Sequence, residues 1–134
     1  VVPRPSTRPG RGAVLLVDDE ELVLIVTGQL LVHLGYEVLT ARDGTEAATL
    51  AEAHAEEIRL VILDMVVPGM SGREVFTQLK PMLPGARFLV SSGYSLEGEA
   101  SELLEEGCDG FLQKTFSLAT LGSKVDELLA TSRS

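Results

Sequence analysis

The chain has 134 residues, 45% of them hydrophobic and 23% charged, which is typical of one globular domain. Its net charge of −9 disfavours nucleic-acid binding driven by electrostatics alone, because the protein surface and the phosphate backbone have the same sign. A single cysteine, Cys108, excludes an internal disulfide framework and favours a cytoplasmic location. The longest apolar stretch, 22–34, is shorter than the about 20 residues that cross a membrane.

The first twelve residues differ in composition from the remainder of the chain. They hold three prolines, two glycines and three arginines without hydrophobic periodicity, which indicates a linker or an expression remnant. We therefore predict that residues 1–12 are such a segment and that residues 13–134 form one folded domain.

From Ala13 onward, short apolar runs alternate with longer amphipathic runs. The short runs are rich in Val, Ile, Leu and Phe, as in strands buried on both faces, and lie at 13–17, 37–41, 59–63, 86–91 and 110–113. The longer runs predict helices at about 20–34, 44–57, 72–82, 96–106 and 117–130. This alternation predicts an α/β fold, a doubly wound parallel sheet with helices on both faces.

Polar side chains stand at the ends of four predicted strands. Asp18 and Asp19 follow the first strand, Asp64 the third, Ser92 the fourth and Lys114 the fifth. Ligands of open α/β sheets bind outside the carboxyl ends of the strands, so we expect these five side chains to share one crevice. Each alone has an ordinary explanation, such as a helix cap for a strand-terminal Asp, but four such strand ends together favour a site.

The chemistry of this set indicates phosphoryl transfer. Three converging carboxylates repel one another and require a cation or a proton, and Mg²⁺ accepts carboxylate oxygens while completing its shell with water and phosphate. A lysine and a serine hydroxyl bind further phosphate oxygens. A carboxylate that faces the opening is then available as the nucleophile.

Four segments resemble response regulator receiver domains of two-component signalling: VLLVDDE, LDMVVPGMSG, VSSGYS and GFLQK. The resemblance covers residues 13 to about 131. It implies a flavodoxin-like fold whose five parallel strands have the order 2-1-3-4-5. It also implies a phosphoryl acceptor that assists its own modification and is not a turnover enzyme.

The resemblance assigns the phosphoacceptor and the metal ligands. Asp64 matches the phosphoacceptor, and Asp18 and Asp19 match the acidic pair. Mg²⁺ would be bound by Asp19, by Asp64 and by the backbone carbonyl of Val66. Asp18 would act mainly through a coordinated water.

The resemblance also assigns the phosphate-binding and switch residues. Ser92 matches the switch hydroxyl and Lys114 the conserved lysine, so both would bind the phosphoryl group. Phe111 matches the aromatic switch position and would move into space that Ser92 vacates. Val66 and Tyr94 flank the approach of water to the acyl phosphate, and because neither orients a water we expect slow self-dephosphorylation.

Ser91 and Thr115 are the sequence neighbours of the assigned residues Ser92 and Lys114. Ser91 precedes Ser92, and we assign the switch to Ser92 because Gly93 matches the small residue that follows the hydroxyl in the family. Ser91 should instead point into the sheet. Thr115 replaces the usual proline after the lysine, and we expect a trans bond there in the unphosphorylated state.

The implied partner is a sensor histidine kinase or a histidine phosphotransfer protein, without direct contact to nucleic acid or membrane. A weak dimer could form through the predicted elements 96–106, 110–113 and 117–130. The segment SSGYS resembles receivers that are fused to hybrid sensor kinases. Together with the linker-like start, it favours a receiver excised from a hybrid histidine kinase over a single-domain regulator.

The sequence leaves two alternative functions to consider besides the receiver domain. One is a docking module that works without phosphorylation. The complete set of site residues argues against it. The other is a haloacid-dehalogenase-like phosphatase, which needs a second aspartate two residues after the nucleophile, where this chain has Val66.

Overall fold

The structure is a computed structural model that describes residues 12–67, 70–92, 105–113 and 117–131. Its strands are β1 (Ala13–Val17), β2 (Glu37–Ala41), β3 (Ile58–Asp64), β4 (Val66–Val67), β5 (Met70–Ser71), β6 (Arg87–Ser92) and β7 (Gly110–Gln113). Its helices are α1 (Glu21–His33), α2 (Gly44–Ala53), α3 (Gly72–Met82) and α4 (Leu118–Thr131).

Five strands form one parallel sheet in the order β2-β1-β3-β6-β7. Since β6 and β7 are the fourth and fifth strands of this sheet along the chain, the order confirms the predicted 2-1-3-4-5. The interior strand β1 is buried along its whole length, as its uninterrupted apolar sequence predicts. The edge strand β2 is buried only at Ala41. The short strands β4 and β5 form a separate antiparallel pair that directly follows β3.

The sheet separates two hydrophobic cores, because alternate residues of each strand point to opposite faces. Leu15 and Val17 of β1 pack on one face with residues of α2 and α3. Val14 and Leu16 pack on the other face with residues of α1 and α4. Helices therefore cover both faces, as predicted.

Helix α2 ends earlier than predicted, at Ala53 instead of position 57. Residues 54–57 form a turn in which the carbonyl of His54 accepts hydrogen bonds from the amides of Glu57, at 2.9 Å, and Ile58, at 3.2 Å. The turn is needed because Ile58 opens β3 beside Ala13, so the chain must reverse direction before it.

Several predictions fall partly or wholly outside the described residues. The leader 1–12 lies outside them except for Gly12, and the predicted helix 96–106 lies outside them except for its last two residues. Among the described residues, no helix is both long and apolar enough to span a membrane.

Cys108 is a buried thiol just before β7, with its Sγ 3.3 Å from the carbonyl oxygens of Phe88 and Gly110. Burial raises the pKa of this thiol from its ordinary value of 9.0. The folded chain therefore keeps a proton that the unfolded chain loses above about pH 9, and the free energy of unfolding should fall as the pH rises past that value.

Urea unfolding of the parent chain and of Cys108→Ala at neutral and alkaline pH tests this prediction. The difference between the two chains isolates the thiol from other titrating groups, and we expect the parent to lose more stability at alkaline pH than the variant. The same pH dependence in both chains would contradict it.

Candidate functional site

Three carboxylates meet at the carboxyl ends of the two central strands β1 and β3. Asp18 and Asp19 directly follow β1, and Asp64 is the last residue of β3. One oxygen from each lies within 4.8 Å of the others. Asp18 and Asp64 are only 5% and 6% exposed, whereas Asp19 is exposed. The cluster therefore has two buried members and one that faces solvent.

The backbone around Asp18 fixes the first part of the cluster. The amide of Asp18 donates to the carbonyl of Ala41 at 3.1 Å, which ties the end of β1 to β2. Its Oδ1 accepts a hydrogen bond of 2.9 Å from the amide of Glu20. The N-cap of α1 is Glu20, so the helix-cap explanation for Asp18 and Asp19 does not describe this site.

The backbone after Asp64 is fixed by close packing of main-chain atoms. The amide of Met65 donates to the carbonyl of Ser91, at 2.9 Å, and the carbonyl of Met65 accepts from the amide of Gly72, at 2.8 Å. A Cβ on Gly72 would lie 2.5 Å from the Cα of Met65, so this contact excludes any side chain. The first turn of α3 is therefore seated against the residue next to Asp64.

The antiparallel pair β4–β5 lies in the sequence between Met65 and Gly72 and was not predicted. Val66, whose carbonyl is the expected metal ligand, pairs with Ser71 in this ladder. The dipeptide Pro68-Gly69 is a turn signal that could have indicated a hairpin. The ladder fixes the backbone of Val66, two residues after Asp64.

The donor set of the cluster suits a small, hard divalent cation. Carboxylate oxygens are the ligands that Mg²⁺ prefers, and it commonly uses one or two of them together with waters. A cation at this position would offset the mutual repulsion of three negative charges. The described residues therefore fit the predicted Mg²⁺ site.

The other predicted site residues are described only in part. Ser92 ends β6 and is paired with Gln113, but its side chain lies outside the described part of the structure, as do Lys114 and Tyr94. Phe111 lies in β7 and is half-buried against the core that contains α2 and α3. The structure thus brings together Asp18, Asp19 and Asp64.

One buried polar residue close to the site was not predicted. Thr27 of α1 is 3% exposed, and its indication in the sequence is a hydroxyl within the apolar first half of this helix. Ser91 is also 3% exposed, as expected for a side chain that points into the sheet. Both residues lie near Asp18.

Comparison with solved structures supports the fold. A CheY-like receiver domain protein from Methanospirillum hungatei JF-1 superposes with a TM-score of 0.83 at 30% identity, covering 90% of this chain and 95% of that one. The receiver domain of the hybrid histidine kinase CckA gives a TM-score of 0.75 at 36% identity, covering 88% and 99%.

Comparison of sequences identifies the family. The sensor kinase CckA of Brucella abortus (strain 2308) is 34% identical over 96% of this chain, which corresponds to 14% of that protein. The chain spans 14% to 49% of three curated relatives. The family model for the response regulator receiver domain matches residues 14–126. With its sheet order and its acidic cluster, the chain belongs to the response regulator receiver domain family.

Proposed function

We propose that this domain accepts a phosphoryl group on Asp64 from a phosphohistidine and thereby switches a protein-binding surface. The observation that carries the proposal is the convergence of Asp18, Asp19 and Asp64 at the ends of β1 and β3 in a receiver domain. Similarity to the receiver of a hybrid kinase supports a phosphorelay, in which the donor histidine belongs to a sensor kinase or a phosphotransfer protein.

In the proposed reaction, an Asp64 carboxylate oxygen forms a bond to phosphorus while the P–N bond of the phosphohistidine breaks. The donor imidazole nitrogen keeps the electron pair of that bond. Asp64 ends β3 beside the close-packed Met65 backbone, which holds the nucleophile in place before the donor arrives. The product is an acyl phosphate.

Asp19, Asp64 and the Val66 carbonyl would hold Mg²⁺, with Asp18 contacting a coordinated water. When bound, the ion neutralises charge on the carboxylates and the transferring phosphoryl group. Lys114 and Ser92 would bind phosphoryl oxygens. Val66 and Tyr94, which lack groups that orient water, would prolong the lifetime of the acyl phosphate.

The proposed switch couples Ser92 to Phe111. Phosphorylation adds charge and acceptor oxygens at Asp64, which favours a hydrogen bond from the Ser92 hydroxyl. Phe111 lies on the strand next to that of Ser92 and is only half-buried, so it has room to become more buried. Its movement would alter the surface formed by β7 and α4.

The direct test is chemical phosphorylation followed by mapping of the modified residue. We expect acetyl phosphate with Mg²⁺ to add one phosphoryl group, and borohydride reduction with peptide mass spectrometry to locate it at Asp64. Omission of Mg²⁺ is the control and should prevent labelling. No labelling, or labelling at another residue, would overturn the proposal.

Helix α1 of this domain offers a suitable docking surface for the donor protein. This helix is apolar on its outer face as well as its inner face: Leu22, Ile25, Val26 and Val32 are between 37% and 71% exposed. Helix α1 begins two residues after Asp19, so a protein seated on it would bring its histidine close to the acidic cluster. We propose that apolar residues flanking the donor histidine pack against this face.

Ile25→Lys tests this docking surface by placing a charge in its centre. We expect phosphotransfer from a histidine phosphotransfer protein to slow about tenfold or more, the effect of losing one well-packed interface residue. Labelling by acetyl phosphate should be unchanged, because that donor needs no docking surface. Thr49→Lys on the exposed side of α2 is the matched control. Equal slowing with both donors would contradict the assignment of this surface.

A further inference from the structure

Two buried hydroxyl residues accompany the two buried carboxylates of the acidic cluster. The buried polar side chains among the described residues are Asp18, Thr27, Asp64 and Ser91. Asp64 and Ser91 are paired across β3 and β6, and Asp18 follows β1 on the other side of β3. Thr27 covers this end of the sheet from α1. All four therefore lie at the end of the sheet where the proposed chemistry takes place.

A small cavity lies between three of these residues, Asp18, Thr27 and Ser91. Its volume is about 10 Å³, and its polar lining comes from Asp18, Thr27 and Ser91. The remainder of the lining consists of apolar side chains from α1, β1 and β3. A cavity of this size holds about one water molecule, and a buried water needs two to four polar partners.

The two hydroxyl groups give an independent reason to expect a ligand. Within the described residues, neither the Thr27 nor the Ser91 hydroxyl has a hydrogen-bond partner, although each residue is 3% exposed. Thr49 of α2 shows the usual alternative, in which the hydroxyl donates to the carbonyl four residues earlier, Thr45, at 3.1 Å. Burial of unpaired hydroxyl groups is unfavourable, so a partner in the cavity would stabilise this arrangement.

We propose that the cavity binds one water molecule that links Thr27 and Ser91 to Asp18. The water accepts hydrogen bonds from the two hydroxyl groups and donates to a carboxylate oxygen of Asp18. The Glu20 amide holds Oδ1 of Asp18, and the water adds a contact to this carboxylate from inside the protein. Thr27 and Ser91 are thus positioning residues for the metal site, a part of the inference that rests on the proposed function.

The water itself is tested without any metal. A high-resolution crystal structure and water relaxation dispersion in solution should both show one long-lived internal water in the parent chain. The double variant Thr27→Val/Ser91→Ala should lose it. If the double variant does not fold, Ser91→Ala alone, which removes one of the three polar partners, should shorten the residence time of the water. Thr49→Val, which removes an exposed hydroxyl, should retain it. A dry cavity in the parent chain would overturn the inference.

The positioning effect is tested by Mg²⁺ titration of the same variants. We expect the dissociation constant for Mg²⁺ to rise about tenfold in the double variant, the low end of the cost of removing groups that orient a metal site, and to stay constant in Thr49→Val. An unchanged constant despite loss of the water would overturn the positioning role. If the parent chain binds no Mg²⁺, the proposed function fails instead. Crystal structures of the parent chain and of the double variant then test the positioning role. It requires that the Asp18 side chain change conformation when the water is lost.

Discussion

Asp64→Asn should abolish phosphorylation by acetyl phosphate while the domain remains folded. The amide has nearly the same shape as the carboxylate but is not a nucleophile, so no acyl phosphate can form. Removal of one of three clustered negative charges also relieves repulsion, and the free energy of unfolding should therefore rise rather than fall. Intact-protein mass spectrometry measures labelling, and urea unfolding measures stability.

Two control variants distinguish loss of the nucleophile from loss of a metal ligand and from loss of a negative charge elsewhere. Asp19→Ala should first weaken Mg²⁺ binding, because it removes a proposed direct ligand, and should keep Asp64 as the labelled residue. Glu21→Gln removes an exposed carboxylate that pairs with Arg42 outside the cluster, and it should be labelled like the parent chain. Stoichiometric labelling of Asp64→Asn would show that another residue is the acceptor.

Gly72→Ala should destabilise the domain by about 2 to 3 kcal/mol, the upper part of the usual cost of forcing an extra group into a packed region. The added Cβ would lie 2.5 Å from the Cα and 2.8 Å from the carbonyl oxygen of Met65. Both contacts are with main-chain atoms, which cannot rotate away as a side chain would. The backbone next to Asp64 must therefore shift, and labelling of Asp64 should slow as well.

Gly122→Ala is the matched control for this substitution. Gly122 lies within α4, and a Cβ there has no neighbour within 4 Å. Alanine favours helix over glycine by about 1 kcal/mol, so this variant should be as stable as the parent chain or more stable. Urea unfolding of both variants gives the comparison. Equal stability of Gly72→Ala and Gly122→Ala would show that the contact with Met65 is not restrictive.

The sheet could be predicted closely because its strands are short apolar runs bounded by charges and glycines. The run at 13–17 coincides with β1, and Asp18 marks its end. The convergence of Asp18, Asp19 and Asp64 followed from the same rule, because parallel strands bring their carboxyl ends to one edge.

The remaining features depended on packing that leaves little trace in the sequence. No Gly or Pro marks the end of α2 at Ala53, so its helical pattern seemed to continue into the turn. The β4–β5 ladder has two residues in each strand, too few to show any periodicity. The burial of Thr27 depends on which face of α1 meets the sheet, and α1 is apolar on both faces.

The position of β1 between β2 and β3 has a consequence for folding during synthesis. Residues up to Asp64 supply three adjacent strands and two helices, so part of the sheet can form before β6 and β7 leave the ribosome. In that state the free edge of β3 carries Leu60, Val61, Ile62 and Leu63, and all four pair with β6 in the complete domain. An exposed apolar edge of this kind is prone to aggregation. A nascent chain stalled before Arg87 would therefore depend on chaperones until β6 covers that edge.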